Sequence, residues 1–440
     1  MGLKTFPGGI HPHDNKAFSK DKKIEPMPLP KKIVIPLSQH IGAPAKPVVK
    51  IGDEVLAGQK IADAGGFVSI PMHSSISGKV AKLAQFNHPT GALVQGIEIT
   101  GDGEDKWVEL VDESNFMELS AKDMKERIAE AGVCGMGGAG FPTHVKLSPP
   151  EGKTIDTIIL NGVECEPYLT ADYRIMLEQA EDILTGLKIL MKIVNAKKGV
   201  VGIEANKPDA IKLFKNLLKN EKNISVVGLH LKYPQGAEKQ LIYAATKRKV
   251  PNKGGLPMDV NVVVQNVGTA IAVFEAVRYK KPLVDRVITI SGKIVKNPKN
   301  IKARIGTYYS DLLEYCGGTT EDISKVISGG PMMGFAIPSL ETPMTKGSSG
   351  LLLFNKKEAH KDSEDVCLRC ARCVDICPMN IIPSFIAHHV RNDDWDSAEK
   401  SGVMDCIKCG SCAYVCPSHI KLIQWIDIGK IKVSEKNRSK

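Results

Sequence analysis

Between residues 41 and 100 apolar and polar positions alternate over short stretches, as in VVKIGDEVLAGQKIAD and IPMHSSISGKVAKL, with Gly at the turns. A period of two punctuated by Gly predicts short strands and an all-β unit. From 120 to 280 the pattern changes. SAKDMKERIAEAGV reads as a helix with Ser120 as its N-cap, TIDTIILNGV (154–163) as a buried strand, and DYRIMLEQAEDILTGLKILMKIV (172–194) as one long amphipathic helix. Strand patterns at 199–205, 224–230 and 260–266 alternate with helical ones at 208–219 and 237–247, which predicts an α/β layer fold. Residues 285–340 mix strands, a Gly-Thr turn and one helix, and predict a small α+β domain. Residues 343–366 read as a linker. IKLIQWIDIGKIKV near the C-terminus is amphipathic, suited to packing on its own domain or to lipid contact.

Cysteine placement adds chemistry to this outline. Of eleven cysteines, eight crowd into residues 367–416, in CLRCARCVDICP and CIKCGSCAYVCP. Both segments follow C-x2-C-x2-C-x3-C-P, the repeat of two-cluster ferredoxins, in which the fourth Cys ligates the other cluster. Cys367, Cys370, Cys373 and Cys416 are therefore expected to hold one [4Fe-4S] cluster, and Cys406, Cys409, Cys412 and Cys377 the second. Structural zinc favours two spaced pairs instead. The 28 residues between the motifs look helical, which suits an alpha-helical ferredoxin domain over 367–440. Cys134, Cys165 and Cys316 read as small buried residues.

Charge and hydropathy narrow the partners. The net charge is +10, from 59 Lys and Arg against 49 Asp and Glu, with the excess in scattered lysines. This suits a solvated surface, or attraction to anionic partners such as phosphate cofactors, acidic electron carriers or anionic lipid. Nucleic acid is not favoured, because aromatics are only 5% and none interleave a basic stretch. No run of apolar residues is long enough for a transmembrane helix, and the first residues lack the apolar core of a signal peptide. The expected location is the cytoplasm or the cytoplasmic face of a membrane.

One loop invites a wrong reading. In CGMGGAGFPTHVK (134–146), Gly135, Gly137 and Gly140 spell G-x-G-x-x-G. A dinucleotide turn needs a strand before those glycines and a helix directly after them. Here a helix precedes, and Phe141-Pro142-Thr143 follow. So many glycines still mark a backbone that something approaches closely. LNGVECEP (160–167) ends a strand with Asn161, Glu164 and Glu166. YPQGAEKQL (233–241) places Gly236 and Glu238 at a helix start, and QNVGT (265–269) puts Asn266 and Thr269 at a strand-to-helix turn suited to an anion.

Together these stretches resemble the FMN- and NADH-binding subunit of respiratory complex I and related hydrogenase flavoproteins. With TFPGGIHPHDNK at the start and the domain order, the whole chain is similar to the RnfC members of Rnf electron transport complexes. The strand-rich start also resembles the lipoyl-carrier sandwich, but residues 61–78 lack the Lys that carriers modify.

The resemblance implies five segments. A lipoyl-like barrel-sandwich domain with an N-terminal extension spans 1–115, and an FMN/NADH-binding α/β domain spans 116–282. A β-grasp (SLBB) domain spans 283–342, a linker 343–366 and the cluster domain 367–440. It implies that Gly135, Gly137, Gly138 and Gly140 cradle FMN with Lys146 near its phosphate. Asn161, Gly236, Asn266 and Thr269 would contact the flavin, and Glu164, Glu166 and Glu238 would line a nicotinamide pocket. It implies electron exchange between NAD(H), FMN and two clusters, in a peripheral subunit docked on membrane-embedded partners, with ferredoxin reached through another subunit. A soluble flavin and iron–sulfur reductase, such as a microcompartment cobalamin reductase, shares the same build. A scaffold that only relays electrons would lack the flavin. The chain departs from the complex I pattern at Met136 (Arg there), Val163 (Asp), Cys165 (Ser), Ala237 (Glu) and Gly268 (Glu).

Overall fold

A computed structural model describes residues 2–359 and 363–438. A parallel sheet orders the strands Ile224–Leu229, Lys198–Glu204, Thr157–Gly162 and Val262–Asn266. Thr157–Gly162 is buried at every position but Asn161. Helices cover both faces, as a parallel sheet requires. Ile158 and Leu160 pack with Ile183, Leu187 and Val273 on one face, while Ile159 packs with Leu241 and Val264 on the other. The period of two within one apolar run thus feeds two cores.

The stretch read as one helix from 172 to 194 is two helices, Ala171–Glu178 and Ala180–Ile193. The break is at Gln179, whose φ of −136° lies outside the helical region.

The N-terminal sandwich has a four-stranded sheet (Lys32–Pro36, Leu93–Gly101, Gly78–Asn87, Glu54–Val55) facing a three-stranded one (Lys46–Pro47, Lys60–Asp63, Met72–His73). The sheet of the small α+β domain has six strands. In order they are Ile24–Pro26, Lys299–Arg304, Asp285–Ser291, Gly350–Phe354, Lys325–Ser328 and Phe335–Ala336.

One member of that sheet corrects the expected boundaries, and another comes from far along the chain. Gly350–Phe354 lies inside the stretch read as a linker, yet it is buried at all five positions in mid-sheet. GLLLF has no polar position to present to water, so it is stable only with both faces covered. Residues 360–362 of the expected linker lie outside the described residues. Ile24–Pro26, in the expected N-terminal extension, runs parallel to Lys299–Arg304.

The residues between the cysteine motifs fold into Pro383–Arg391 and Trp395–Lys400. The last helix, Leu422–Arg438, buries Leu422, Ile426, Gly429 and Val433. A Cβ at Gly429 would come within 2.6 Å of Val390, so this amphipathic segment packs on its own domain. Among the described residues no helix is long and apolar enough to cross a membrane.

Candidate functional site

Asn161 and Asn266 end adjacent parallel strands and face each other in register. The carboxyl ends of such strands are where open α/β sheets bind ligands. Asn266 caps the helix Val267–Tyr279 by accepting from Gly268 N at 2.8 Å, and it donates to Asp172 Oδ2 at 2.6 Å. Asn161 donates to Gly236 O at 2.8 Å and accepts from Val163 N at 3.2 Å. Gly236 N in turn donates to Cys165 Sγ at 3.3 Å. Both asparagines therefore tie loops to the strand ends.

The glycine loop closes over this edge. A bridge between Cys134 and Pro142 and the bond from Gly135 N to Phe141 O (2.9 Å) shut its base. Met136 N donates to Thr269 Oγ1 at 3.0 Å. The buried Arg286 guanidinium donates to Met136 O at 3.4 Å. The glycines then differ. A Cβ at Gly137 would stand 2.7 Å from Asn266 Nδ2, and Gly140 has φ +67° with His40 Cα 3.3 Å from its Cβ position. Gly135 has only ordinary contacts, and Gly138 would meet no protein atom within 4 Å. Two glycines are thus needed for packing and backbone, while Gly138 is exposed with open space beside it. A bare, open backbone on a loop that packs on Asn266 is compatible with a flat ligand such as FMN.

Lys146 is salt-bridged to Glu238 at 2.6 Å. The three acids expected together at a nicotinamide pocket have separate settings. Glu164 caps the helix Ala171–Glu178, accepting from Asp172 N at 2.7 Å and Tyr173 N at 3.3 Å. Glu166 turns to the β-grasp domain and accepts from Met332 N (3.1 Å) and Met333 N (2.9 Å). Burial pushes its carboxyl up to about 7. Glu238 starts the helix Glu238–Thr246 opposite Lys146. The chain turns sharply between the first two, with Glu164 at φ +50°, which sends neighbouring acids in different directions.

Two buried lysines escaped the sequence reading. Lys207 Nζ donates to Val163 O at 2.7 Å, and Lys16 Nζ donates to Glu166 O at 2.9 Å and to Leu169 O. Together they pin the segment 163–169 from beneath. Desolvation lowers the Lys16 pKa. The only signal for Lys16 was its place in TFPGGIHPHDNK.

Cys377, Cys406, Cys409 and Cys412 line one small cavity, walled by Ile381, Ile407, Ile423 and Ile426. This is the second ligand set read from the spacing. Of the first set, Cys373 and Cys416 pack in the adjoining apolar cluster, and Cys367 and Cys370 are exposed on the segment leading into it. Among the described residues no three ligating groups already converge on a metal position. Four thiols on one apolar cavity nevertheless have the donor chemistry of an iron–sulfur site. Burial pushes the Cys406 thiol up to about 11 and raises Cys412 further, so loading the cavity must release protons.

The flavin-type domain touches this motif directly. Tyr233 OH donates to Cys409 O at 2.8 Å and Gln240 Nε2 to Pro378 O at 3.1 Å.

Family models match along the chain in this order. The RnfC barrel sandwich hybrid domain matches residues 4–104 and the Nuo51 FMN-binding domain 128–275. The SLBB domain matches 287–336 and a 4Fe-4S dicluster domain 366–420. The chain is 52% identical over 426 residues to a subunit of the proton-translocating ferredoxin:NAD(+) oxidoreductase complex of Clostridium ljungdahlii, covering 96% of this chain and 93% of the relative. It is 43% identical to the Na(+)-translocating counterpart of Acetobacterium woodii, covering 91% and 90%. The chain belongs to the RnfC family. An NAD+-reducing [NiFe]-hydrogenase in the air-oxidized state shares the fold, with a TM-score of 0.53 at 15% identity over 72% of this chain and 66% of that one.

Two positions of this RnfC chain, Met136 and Gly268, are neighbours across the site. A Cβ at Gly268 would lie 3.4 Å from Met136 Cε. The sandwich that gives RnfC its N-terminal domain packs on the same loop: Ile41 N donates to Gly140 O at 3.4 Å. The buried Lys346, within the expected linker, donates through Nζ to Gly132 O at 2.7 Å and through its backbone N to Gln39 Oε1 at 2.9 Å.

Proposed function

We propose that this chain is the peripheral NAD-linked subunit of a membrane-bound ferredoxin:NAD+ oxidoreductase that couples electron transfer to ion movement. In this reading it exchanges electrons between NAD(H), FMN and two [4Fe-4S] clusters on the cytoplasmic face of the membrane. Membrane-embedded subunits anchor it, and ferredoxin is reached through another subunit. The observation that carries the reading is the short junction at Tyr233, which joins the glycine-loop domain to the thiol-lined cavity. The names of the relatives support the class of activity.

Bound at the strand ends, FMN supplies the conversion between two-electron hydride chemistry and one-electron carriers. The residues position it. Gly138 leaves the space, Lys146 offers a cation for the phosphate once freed from Glu238, and Thr269 and Arg286 fix the loop backbone. Asn161 and Asn266 hold the strand-end loops that floor the site, and Glu164 and Glu238 are the acids that would face a nicotinamide. Cys377, Cys406, Cys409 and Cys412 would hold the cluster nearer the flavin, and Cys367, Cys370, Cys373 and Cys416 the outer one.

Cofactor analysis of anaerobically purified protein tests this. About eight irons per chain with one non-covalent FMN are expected from two cubanes. Iron without flavin would overturn the reading.

A further inference from the structure

The N-terminal stretch PGGIHPH hydrogen-bonds to two domains other than the sandwich it precedes. It lies between them. Ile10 N donates to Tyr233 O at 2.8 Å and Tyr233 N returns a bond to Ile10 O at 2.9 Å. On the other side Gly9 N donates to Ile376 O at 2.8 Å, one residue before the buried ligand Cys377. Phe6 is buried, and Lys232 donates to Phe6 O at 2.9 Å with its ammonium 4.6 Å from the ring centroid.

Both glycines are required by geometry. Gly8 has φ +77° and Gly9 φ +84°. A Cβ at Gly8 would stand 3.0 Å from Ile376 O and 3.1 Å from Cys377 O, and one at Gly9 2.7 Å from Tyr233 O. Only a bare chain passes between two backbones this close. The segment therefore lies beside the contact in which Tyr233 OH meets Cys409 O.

We infer that residues 6–10 are a strap seating the Cys377 motif on the flavin-binding domain, with Gly8 and Gly9 as positioning residues for electron exchange between the two. This rests on the proposed function. Any widening of the junction weakens electron exchange while the flavin's own site, at the strand ends, keeps its contacts.

The test uses the cofactor-loaded protein carrying Gly8→Val or Gly9→Val. Iron, FMN and NADH–ferricyanide activity, which draws electrons at the flavin, should match wild type. The rate at which NAD+ reoxidises the dithionite-reduced clusters should fall on the order of ten-fold or more, as for other small misplacements. Hydrogen exchange at residues 376–380 should rise. Should valine prevent folding, Gly9→Ala and Phe6→Ala give graded versions, with the exposed Leu3→Ala as control. Wild-type reoxidation rates, or unchanged exchange at 376–380, would overturn the strap. Absence of FMN from the wild-type protein would instead sink the proposed function, and the exchange measurement would still report on the strap.

Discussion

The hydroxyl of Tyr233 donates to the carbonyl oxygen of Cys409 at 2.8 Å, joining residues 176 apart in sequence, both buried. Burial, with Glu166 beside it, raises the phenol pKa far above its usual range, so Tyr233 stays a neutral donor. The bond fixes the second cysteine motif to the loop beyond the strand Ile224–Leu229. Tyr233→Phe leaves the Cys409 carbonyl without this partner, which costs about 1–3 kcal/mol. Urea unfolding should show that loss, while flavin content stays at the wild-type level.

Gly137 and Gly138 should separate folding from flavin binding. Gly138→Val places its side chain in open space, so thermal stability and iron content should hold while FMN is lost. Gly137→Val drives into Asn266, 2.7 Å from the Cβ position, and should lower the melting temperature as well. Flavin fluorescence released on denaturation, with a melting curve for each variant, checks both.

Glu166 gives a pH signature. Burial raises its folded pKa from 4.5 to about 7. Between those values the folded protein keeps a proton that the unfolded chain has lost. Its contribution is therefore complete below about pH 4.5 and is lost as pH rises toward 7. Glu166→Gln, still an acceptor for one backbone N–H, should flatten that part of the profile. Urea midpoints at pH 5 and 7.5 decide: an equal difference in variant and wild type contradicts the assignment.

Lys16→Met removes a buried ammonium from the carbonyls of Glu166 and Leu169. The two carbonyls left behind predict a loss of about 2 kcal/mol, for a residue 150 positions from its partner. Proteolysis within 163–169 should quicken if the lysine pins that loop. An unchanged rate would assign Lys16 to general packing.

Local signals made much of this legible. The cysteine spacing named a ligand set that shares one cavity, and the alternating patterns located each strand of the parallel sheet within a few residues. What escaped depends on distant partners. GLLLF at 350–354 carries no alternation because both its faces are covered, so it looked like part of a linker. Ile24–Pro26 finds its partner strand about 275 residues later, and nothing near it announces that. Glu164 and Glu166 stand two apart in sequence, yet the positive φ at Glu164 sends them to different neighbours. Nothing local marked Lys16, because only the fold supplies its carbonyl partners.

The central claim is that this chain passes electrons between its clusters and NAD through a flavin. The most direct measurement reduces the anaerobic protein with dithionite, removes the excess and adds NAD+. The expected result is NADH formation with loss of the reduced-cluster EPR signal, abolished in Gly138→Val while the clusters still form. Clusters that stay reduced in the presence of NAD+, or that reoxidise equally well without flavin, would contradict it.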